Sequence, residues 1–321
     1  FYTVLNFNDT NIAFKVKSNT DLKRAYWLFR IIGSPLVVKL GKIFMLIALK
    51  LRLPVSFIVK RTIFKQFCGG ETIAECSPTI ATLGKYRVGT ILDYSVEGKI
   101  QEDDFDQTTK IIIQTIEKAA QEKNIPFAVF KITGISKFSL LEKASIDVNA
   151  LSNIEAIELE KVKNRIDNIC SAAKKQNVPV FIDAEETWVQ DIIDQWAFDM
   201  MLLYNKEKCI VYNTIQMYRH DRLAFLEDCL KRAKKSNISY GIKLVRGAYM
   251  EKERSRAKEM EYLSPIQIDK ESTDRDYDLA LDYILKNINY LSLVAGTHNE
   301  DSSKKLAVSL EKHNLSKDDS R

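Results

Sequence analysis

The run IKLVRGAYMEKER, Ile242 to Arg254, sets Lys243, Arg246, Gly247 and Tyr249 at the end of a short apolar segment, just before a charged stretch of helical character. Two cations suit a phosphate or a carboxylate. A glycine lets backbone approach a ligand closely, and an aromatic ring supplies an apolar wall. Together they could hold an anionic, planar ligand. A third cation, Lys131 in FKIT (130–133), stands inside an apolar segment. It needs a carboxylate, from a substrate or from a residue such as Asp183, unless it reaches out to water.

Three further segments carry polar groups of the same kind. In IDAEETW (182–188), Asp183 reads as a functional acid still within a strand, whereas Glu185 and Glu186 read as a carboxylate cluster at a helix N terminus. Gln216, in NTIQMY (213–218), offers an amide that a flavin or pyrimidine edge would match and that bonds to neighbouring strand ends would satisfy equally well. In GTHN (296–299), Thr297 and His298 could meet a phosphate or sugar, or serve as a cap and a partly exposed histidine. No partner for His298 as a general base is evident.

These residues are delivered by a regular pattern. Short β-branched or apolar runs occupy Val88–Ser95, Phe127–Thr133, Pro179–Glu185, Cys209–Tyr218, Tyr240–Gly247 and Leu291–Thr297. Between them lie amphipathic stretches, clearest over Thr108–Lys123, Ile157–Lys175 and Asp221–Lys235, whose apolar residues recur on one helical face. Alternating strand and helix implies parallel strands with crossover helices, buried on both faces. Polar residues gathered at the C-terminal ends of such strands are characteristic of a (β/α)8 barrel of the TIM type. Six of its eight strands are visible, over residues 87–321. Residues 1–86 read as an N-terminal helical region, with a break at Cys68-Gly69-Gly70.

Composition narrows the alternatives. The chain has 321 residues, 48 basic and 43 acidic, for a net charge of +5. That is too mild for a nucleic-acid surface. Five cysteines without a CxxC pair suggest a reducing compartment, and the three histidines lack metal-ligand spacing, so no metal is expected. Between Ile31 and Val59 the chain is strongly apolar, but Lys39, Lys42, Lys50, Arg52, Pro35 and Pro54 interrupt it, so a membrane span is not expected. Buried helices are the simpler reading there, and a basic amphipathic surface resting on a bilayer is the alternative.

Six ordered motifs, ILDYSVE (91–97), FKITG (130–134), IDAEETW (182–188), NTIQMY (213–218), KLVRGAYMEKER (243–254) and GTHNE (296–300), together resemble the proline dehydrogenase family, flavoenzymes that oxidise proline to pyrroline-5-carboxylate. KLVRGAY is similar to the eukaryotic-like monofunctional branch. The resemblance implies FAD as cofactor, L-proline as substrate and a quinone as electron acceptor. It implies a place in the cytoplasm, or peripherally on an inner membrane (mitochondrial in a eukaryote). Lys131 would bind the proline carboxylate, Asp183 and Lys243 would be catalytic, and Ala184, Gln216, Arg246, Gly247, Ala248, Thr297 and His298 would contact the FAD. Tyr249 would pack by the substrate ring, and Asp93 would border the pocket. The family pattern continues with two more strands and a helix bearing paired arginines, none of which follows Asn299. Both chain ends read as cut edges, so a C-terminally truncated enzyme is expected, one that binds proline poorly. A hydroxyproline dehydrogenase, a Schiff-base aldolase using Lys131 or Lys243, and an inactive barrel acting only as a binding protein stay open at this point.

Overall fold

The computed structural model describes residues 5–51, 53–94, 101–316, 319 and 321. Two compact units emerge, Asn6–Thr90 and the chain from Ile91 onward. The first is helical: α1 (Thr10–Ala13), α2 (Asn19–Ile32), α3 (Pro35–Lys50), α4 (Ser56–Val59), a π-helical turn (Lys60–Phe64), α5 (Lys65–Phe67) and α6 (Ile73–Gly84). Its helix starts are set by side chains. Ser18 Oγ accepts the Asp21 amide at 3.1 Å to open α2, and Thr72 Oγ1 accepts that of Glu75 at 3.2 Å to open α6. Gly33 closes α2 and Pro35 opens α3, the first helical position being one where a missing N–H costs nothing. The break expected at 68–70 is the link between α5 and α6.

The second unit alternates strand and helix. In order it contains β1 (Ile91–Leu92), α7 (Glu102–Gln121), β2 (Phe127–Phe130), α8 (Phe138–Ile146), α9 (Asn153–Gln176), β3 (Val180–Ile182) and α10 (Thr187–Tyr204). It continues with β4 (Val211–Gln216), α11 (Arg222–Ser236), β5 (Tyr240–Val245), α12 (Met250–Glu259), α13 (Lys270–Lys286), β6 (Leu291–Ala295) and α14 (Glu300–Lys312). The six strands pair in chain order and all are parallel, as in a (β/α) barrel. A repeated turn returns helix to strand. α9 and α11 each end on an asparagine in the left-handed region, Asn177 (φ 55°) and Asn237 (φ 49°), and the residue that follows donates back into the helix: Val178 N to Ala173 O at 3.0 Å and Ile238 N to Ala233 O at 3.2 Å.

The strands are shorter than their apolar runs suggest. β1 covers two residues of the expected Val88–Ser95, and Ser95, Val96 and Glu97 lie outside the described residues. β2 ends at Phe130, where a 3₁₀ turn (Ile132–Gly134) begins, and β3 ends at Ile182. Lys131 and Asp183, expected inside strands, therefore stand one residue beyond them. The apolar runs continue because the loops above the sheet are themselves buried, as Ile132 and Ile135 are. α10 was not distinguished in the sequence as a separate helix. It is apolar around most of its circumference because it packs against both α8 and β4.

Period-two alternation divides each strand between the barrel interior and the helix layer. Below the site, Phe127 stacks on Phe181 at 4.5 Å between ring centroids, and Tyr212 meets both rings edge-on at 5.8 and 5.7 Å. Gly241 pairs with Tyr212 across β4–β5, and a Cβ there would lie 2.4 Å from the Val211 carbonyl oxygen and 2.7 Å from the Tyr212 ring. The glycine is what lets the aromatic layer close. Beneath it, the fully buried Asn205 amide uses all its hydrogen-bonding capacity on backbone. Nδ2 donates to the carbonyls of Val211 (2.8 Å) and Ser239 (2.9 Å), and Oδ1 accepts from the amides of Ile210 (2.9 Å) and Val211 (2.8 Å). It thus joins the entries of β4 and β5. Asn205→Ala leaves these backbone groups unpaired, and we expect it to lower stability by about 3 kcal/mol, which thermal or urea melting would read. A loss below about 1 kcal/mol would mean that water replaces the amide at no cost.

Candidate active site

Above the aromatic layer the strand ends open into one cavity of about 600 Å³, within the size range of small-molecule sites. Every residue assigned a site role from sequence lines it: Lys131, Asp183, Ala184, Gln216, Lys243, Arg246, Gly247, Ala248, Thr297 and His298, together with Asp93 and Tyr249. Thr214 also lines it, a residue that sequence reasoning passed over. A second cavity of about 750 Å³, between α12 and α13, shares Arg246, Gly247, Ala248, Tyr249 and Lys270 with the first.

Two charges meet across the interior. Lys243, on β5, donates from Nζ to Asp183 Oδ1 at 2.6 Å, reaching from β5 over β4 to the end of β3. Thr214, between them on β4, donates from Oγ1 to the Ile182 carbonyl at 2.9 Å and lies 3.3 Å from Asp183 Oδ1. The Lys243 ammonium also sits 5.2 Å from the centroid of the Phe181 ring. The acid foreseen as a partner for Lys131 is therefore taken by Lys243. The charge of Lys131 acts instead on Asp93, Glu185 and Tyr249. Burial raises the Tyr249 phenol above its ordinary pKa, while the charge of Lys131 and a hydrogen bond from it pull the other way. Asp93 is likewise raised, by desolvation and then by the charge of Asp183.

The loop after β3 is fixed from behind. The Glu185 amide donates to Gln190 Oε1 at 2.7 Å, Gln190 Nε2 donates to Asp194 Oδ1 at 2.8 Å, and Asp194 also accepts from Asn213 Nδ2 (2.8 Å) and from the guanidinium of Arg222 (2.8 Å). All these side chains are buried. Gln216 joins the same framework, its Nε2 donating to the Glu185 carbonyl at 2.8 Å. The two sequence readings of Gln216 thus hold together, since one amide hydrogen binds a neighbouring strand end while the residue still lines the cavity.

Glu185 and Glu186 are not a simple capping cluster. Glu186 occupies the cap position of α10 but makes no side-chain cap bond, and its carboxylate pairs with Lys252. The cap comes from α12. The wholly buried carboxylate of Glu253 accepts the Thr187 amide and hydroxyl, each at 2.7 Å. Glu185 points inward and accepts the amide of Thr133 at 3.0 Å and its hydroxyl.

The β5–α12 connection carries the glycine expected from sequence. Gly247 has φ +130°, and a Cβ there would lie 2.5 Å from the Tyr218 ring, so position and conformation both demand glycine. Arg246 beside it is held as a fork: Nε to Asp274 Oδ1 at 2.5 Å, one terminal nitrogen to Thr297 Oγ1 at 2.8 Å and the other to Ser302 Oγ at 2.9 Å, with the plane 4.3 Å from the Tyr277 ring centroid. Thr297 also accepts the Asn299 amide (3.0 Å), and Asn299 caps α14 through the Ser302 amide (3.0 Å). His298 is exposed on the rim.

Burial pushes the Glu185 carboxyl up to about 7, against the opposing bonds from Thr133. A carboxyl raised in the folded state binds more protons there than in the unfolded chain, so stability falls as pH rises from about 4.5 to 7 and levels off above. Over that window the loss is about 3 kcal/mol, at 1.36 kcal/mol per unit. Glu185→Gln keeps an acceptor for the Thr133 amide and removes the titration. Its stability relative to the parent should rise between pH 5 and 8 in denaturant melts, whereas a parallel pair of profiles would contradict the assignment.

Comparison with known proteins places this geometry. The proline dehydrogenase family model matches residues 76–320. Mitochondrial proline dehydrogenase 1 of Dictyostelium discoideum is 30% identical over 92% of this chain and 59% of its own length. Hydroxyproline dehydrogenase of Xenopus laevis is 27% identical over 93% of this chain and 72% of its own. The chain thus spans about six-tenths of the first relative. The crystal structure of proline utilization A from Bdellovibrio bacteriovorus, inactivated by N-propargylglycine, superposes with a TM-score of 0.72 at 17% identity, over 97% of this chain and 33% of that one, and shares the fold. On the family match over most of its length, with six parallel strands that end in one polar cavity, the chain belongs to the proline dehydrogenase family.

Proposed function

We propose that the cavity is an FAD site and that the chain is the barrel of an enzyme oxidising L-proline to Δ1-pyrroline-5-carboxylate, with a quinone as final electron acceptor. The observation that carries this reading is the shape and donor set of the site. A mouth holding Lys131, Lys243, Arg246 and Gln216 runs on, past the side-chain-free Gly247, into a second cavity. A long ligand with a planar ring system, a hydrogen-bonding edge and a diphosphate fits such a pair. Bound there, FAD would supply the two-electron acceptor that no side chain provides.

The chain's own groups would hold and polarise the reactants. Gln216, with its Nε2 already fixed, would present its remaining polar positions to the ring edge, and Ala184 would let the ring approach β3. Arg246 would offer its charge to the phosphates, flanked by Gly247, Ala248, Thr297 and His298. Lys243, aimed by Asp183, would set a positive charge where negative charge grows as proline is oxidised. Lys131 would take the substrate carboxylate and fix the ring against Tyr249, an orientation effect.

Two substitutions separate these roles. Lys131→Met should leave FAD binding intact and raise KM for proline by roughly tenfold or more, the loss expected for one charged hydrogen bond. Lys243→Met should keep KM within a few-fold and lower kcat by about 10². Stopped-flow reduction by proline, with hydroxyproline run as the competing substrate, reads both. Variants that both stay within twofold of the parent would overturn the assignment.

A further inference from the structure

Two carboxylates line the first cavity, Asp93 and Asp183. Asp183 is occupied, with Lys243 Nζ at 2.6 Å and the Thr214 hydroxyl at 3.3 Å from its Oδ1. Asp93 makes no hydrogen bond or ion pair among the described residues, and it is exposed. It stands just past β1, which pairs with β2 through Leu92 and Ala128. Asp93 therefore rises one residue above that pair and Lys131 three, on adjacent strand ends. The charges of Asp183, Lys131 and Lys243 all act on Asp93.

An amino acid at neutral pH carries one carboxylate and one ammonium. Lys131 suits the carboxylate, and the ammonium needs an acid with free lone pairs. The other groups near Lys131 do not supply one. Glu185 spends its carboxylate on the amide and hydroxyl of Thr133. The Tyr249 phenol, raised by burial, stays protonated and cannot take a further proton. His298 belongs to the end of β6, at the opposite edge of the described sheet from β1. Oxidation sets a second demand. A protonated ring nitrogen has no lone pair with which to form a C=N bond, so one proton must leave before the adjacent C–H bond breaks.

We propose that Asp93 binds the ring ammonium of L-proline and takes one proton from it, which readies the nitrogen for oxidation. This inference rests on the reading of the cavity as a proline site. The N–H bond breaks, its electron pair stays on nitrogen, and the proton forms an O–H bond on Asp93. That pair becomes the second bond of C=N as hydride leaves the ring carbon for the flavin. The product is then protonated Δ1-pyrroline-5-carboxylate, and the exposed Asp93 returns its proton to water. Desolvation and the charge of Asp183 raise the Asp93 carboxyl, which strengthens it as a base, while Lys131 and Lys243 oppose them. Tyr249, Arg246, Lys270 and His298 also line the cavity and are common to parent and variant, so a difference between their pH profiles isolates Asp93.

Calorimetric titration of the full chain tests the contact without bound flavin. The ligands are L-proline and tetrahydrofuran-2-carboxylate, in which an ether oxygen replaces the ring ammonium. Asp93→Asn should weaken proline by at least about tenfold and leave the ether analogue within about twofold, or bind it more tightly. Asp93→Glu, which keeps the carboxylate, should retain the preference for proline. Equal loss of both ligands, loss of neither, or a parent that binds neither would overturn the proposal. Stopped-flow reduction of the FAD-loaded protein then reads the proton transfer. The parent rate should fall as pH drops and Asp93 becomes protonated. The Asp93→Asn rate should be about 10² lower at neutral pH and climb about tenfold per pH unit toward alkaline pH, because only the neutral amine reacts. The two readings can fail separately. A calorimetric split without flavin reduction ends the proposed oxidation and keeps the ammonium site. Proline that reduces the flavin equally fast in Asp93→Asn at every pH ends the role of Asp93 alone.

Discussion

The Lys243–Asp183 ion pair is the constraint around which the barrel mouth is organised. An ammonium placed inside a parallel sheet is costly unless it is paired and hydrogen-bonded. Its partner sits two strands away, so the 2.6 Å contact exists only if β3, β4 and β5 keep a single register. A one-residue slip of β5 would turn Lys243 into the helix layer and bring Leu244 inward. Gly241 and Tyr212 below, and Thr214 between, enforce the same register by packing and hydrogen bonding. One alternation therefore fixes both the aromatic floor and the charges above it.

Around that pair, rigidity comes from buried polar chains rather than from further ion pairs at the surface. Arg222, Asp194, Gln190 and the Glu185 backbone form a connected path from the outer helices to Gln216, each member with a partner. Glu253 binds α12 to the start of α10, and so holds the Gly247–Tyr249 loop that leads into α12. Arg246 draws the end of β5, α13 and the cap of α14 together. A site held this way can present charge to a ligand without reorganising, which is the feature that makes fixed dipoles and charges effective in catalysis.

Much of this was legible in the sequence because polar residues interrupt apolar runs at a regular point. Lys131, Asp183, Gln216 and Arg246 each mark a strand end, and the alternation of strand and helix names the fold that gathers strand ends. Strand lengths were overestimated because buried loops such as Ile132–Ile135 look like strand. Glu253 was invisible: in MEKERSRAKE seven of ten residues are charged, and helical spacing does not reveal which one turns inward. Asn205, in YNKEKC, reads as a solvent turn, although it satisfies two strand entries. The sequence offers Asp183 as a partner for Lys131, and only the side-chain geometry gives that acid to Lys243. The exposure of α3 could not be read from composition either, since the same residues suit a buried helix.

We propose that the mouth built on Lys243 and Asp183 holds a flavin that proline reduces. The most direct measurement is the visible absorbance of the chain reconstituted with FAD, recorded anaerobically before and after L-proline. A flavin band that co-elutes with the protein and bleaches on addition of proline, but does not bleach in Lys243→Met on the same timescale, is the predicted result. A chain that stays folded and takes up no flavin, or a bound flavin that proline reduces equally well without Lys243, would contradict it.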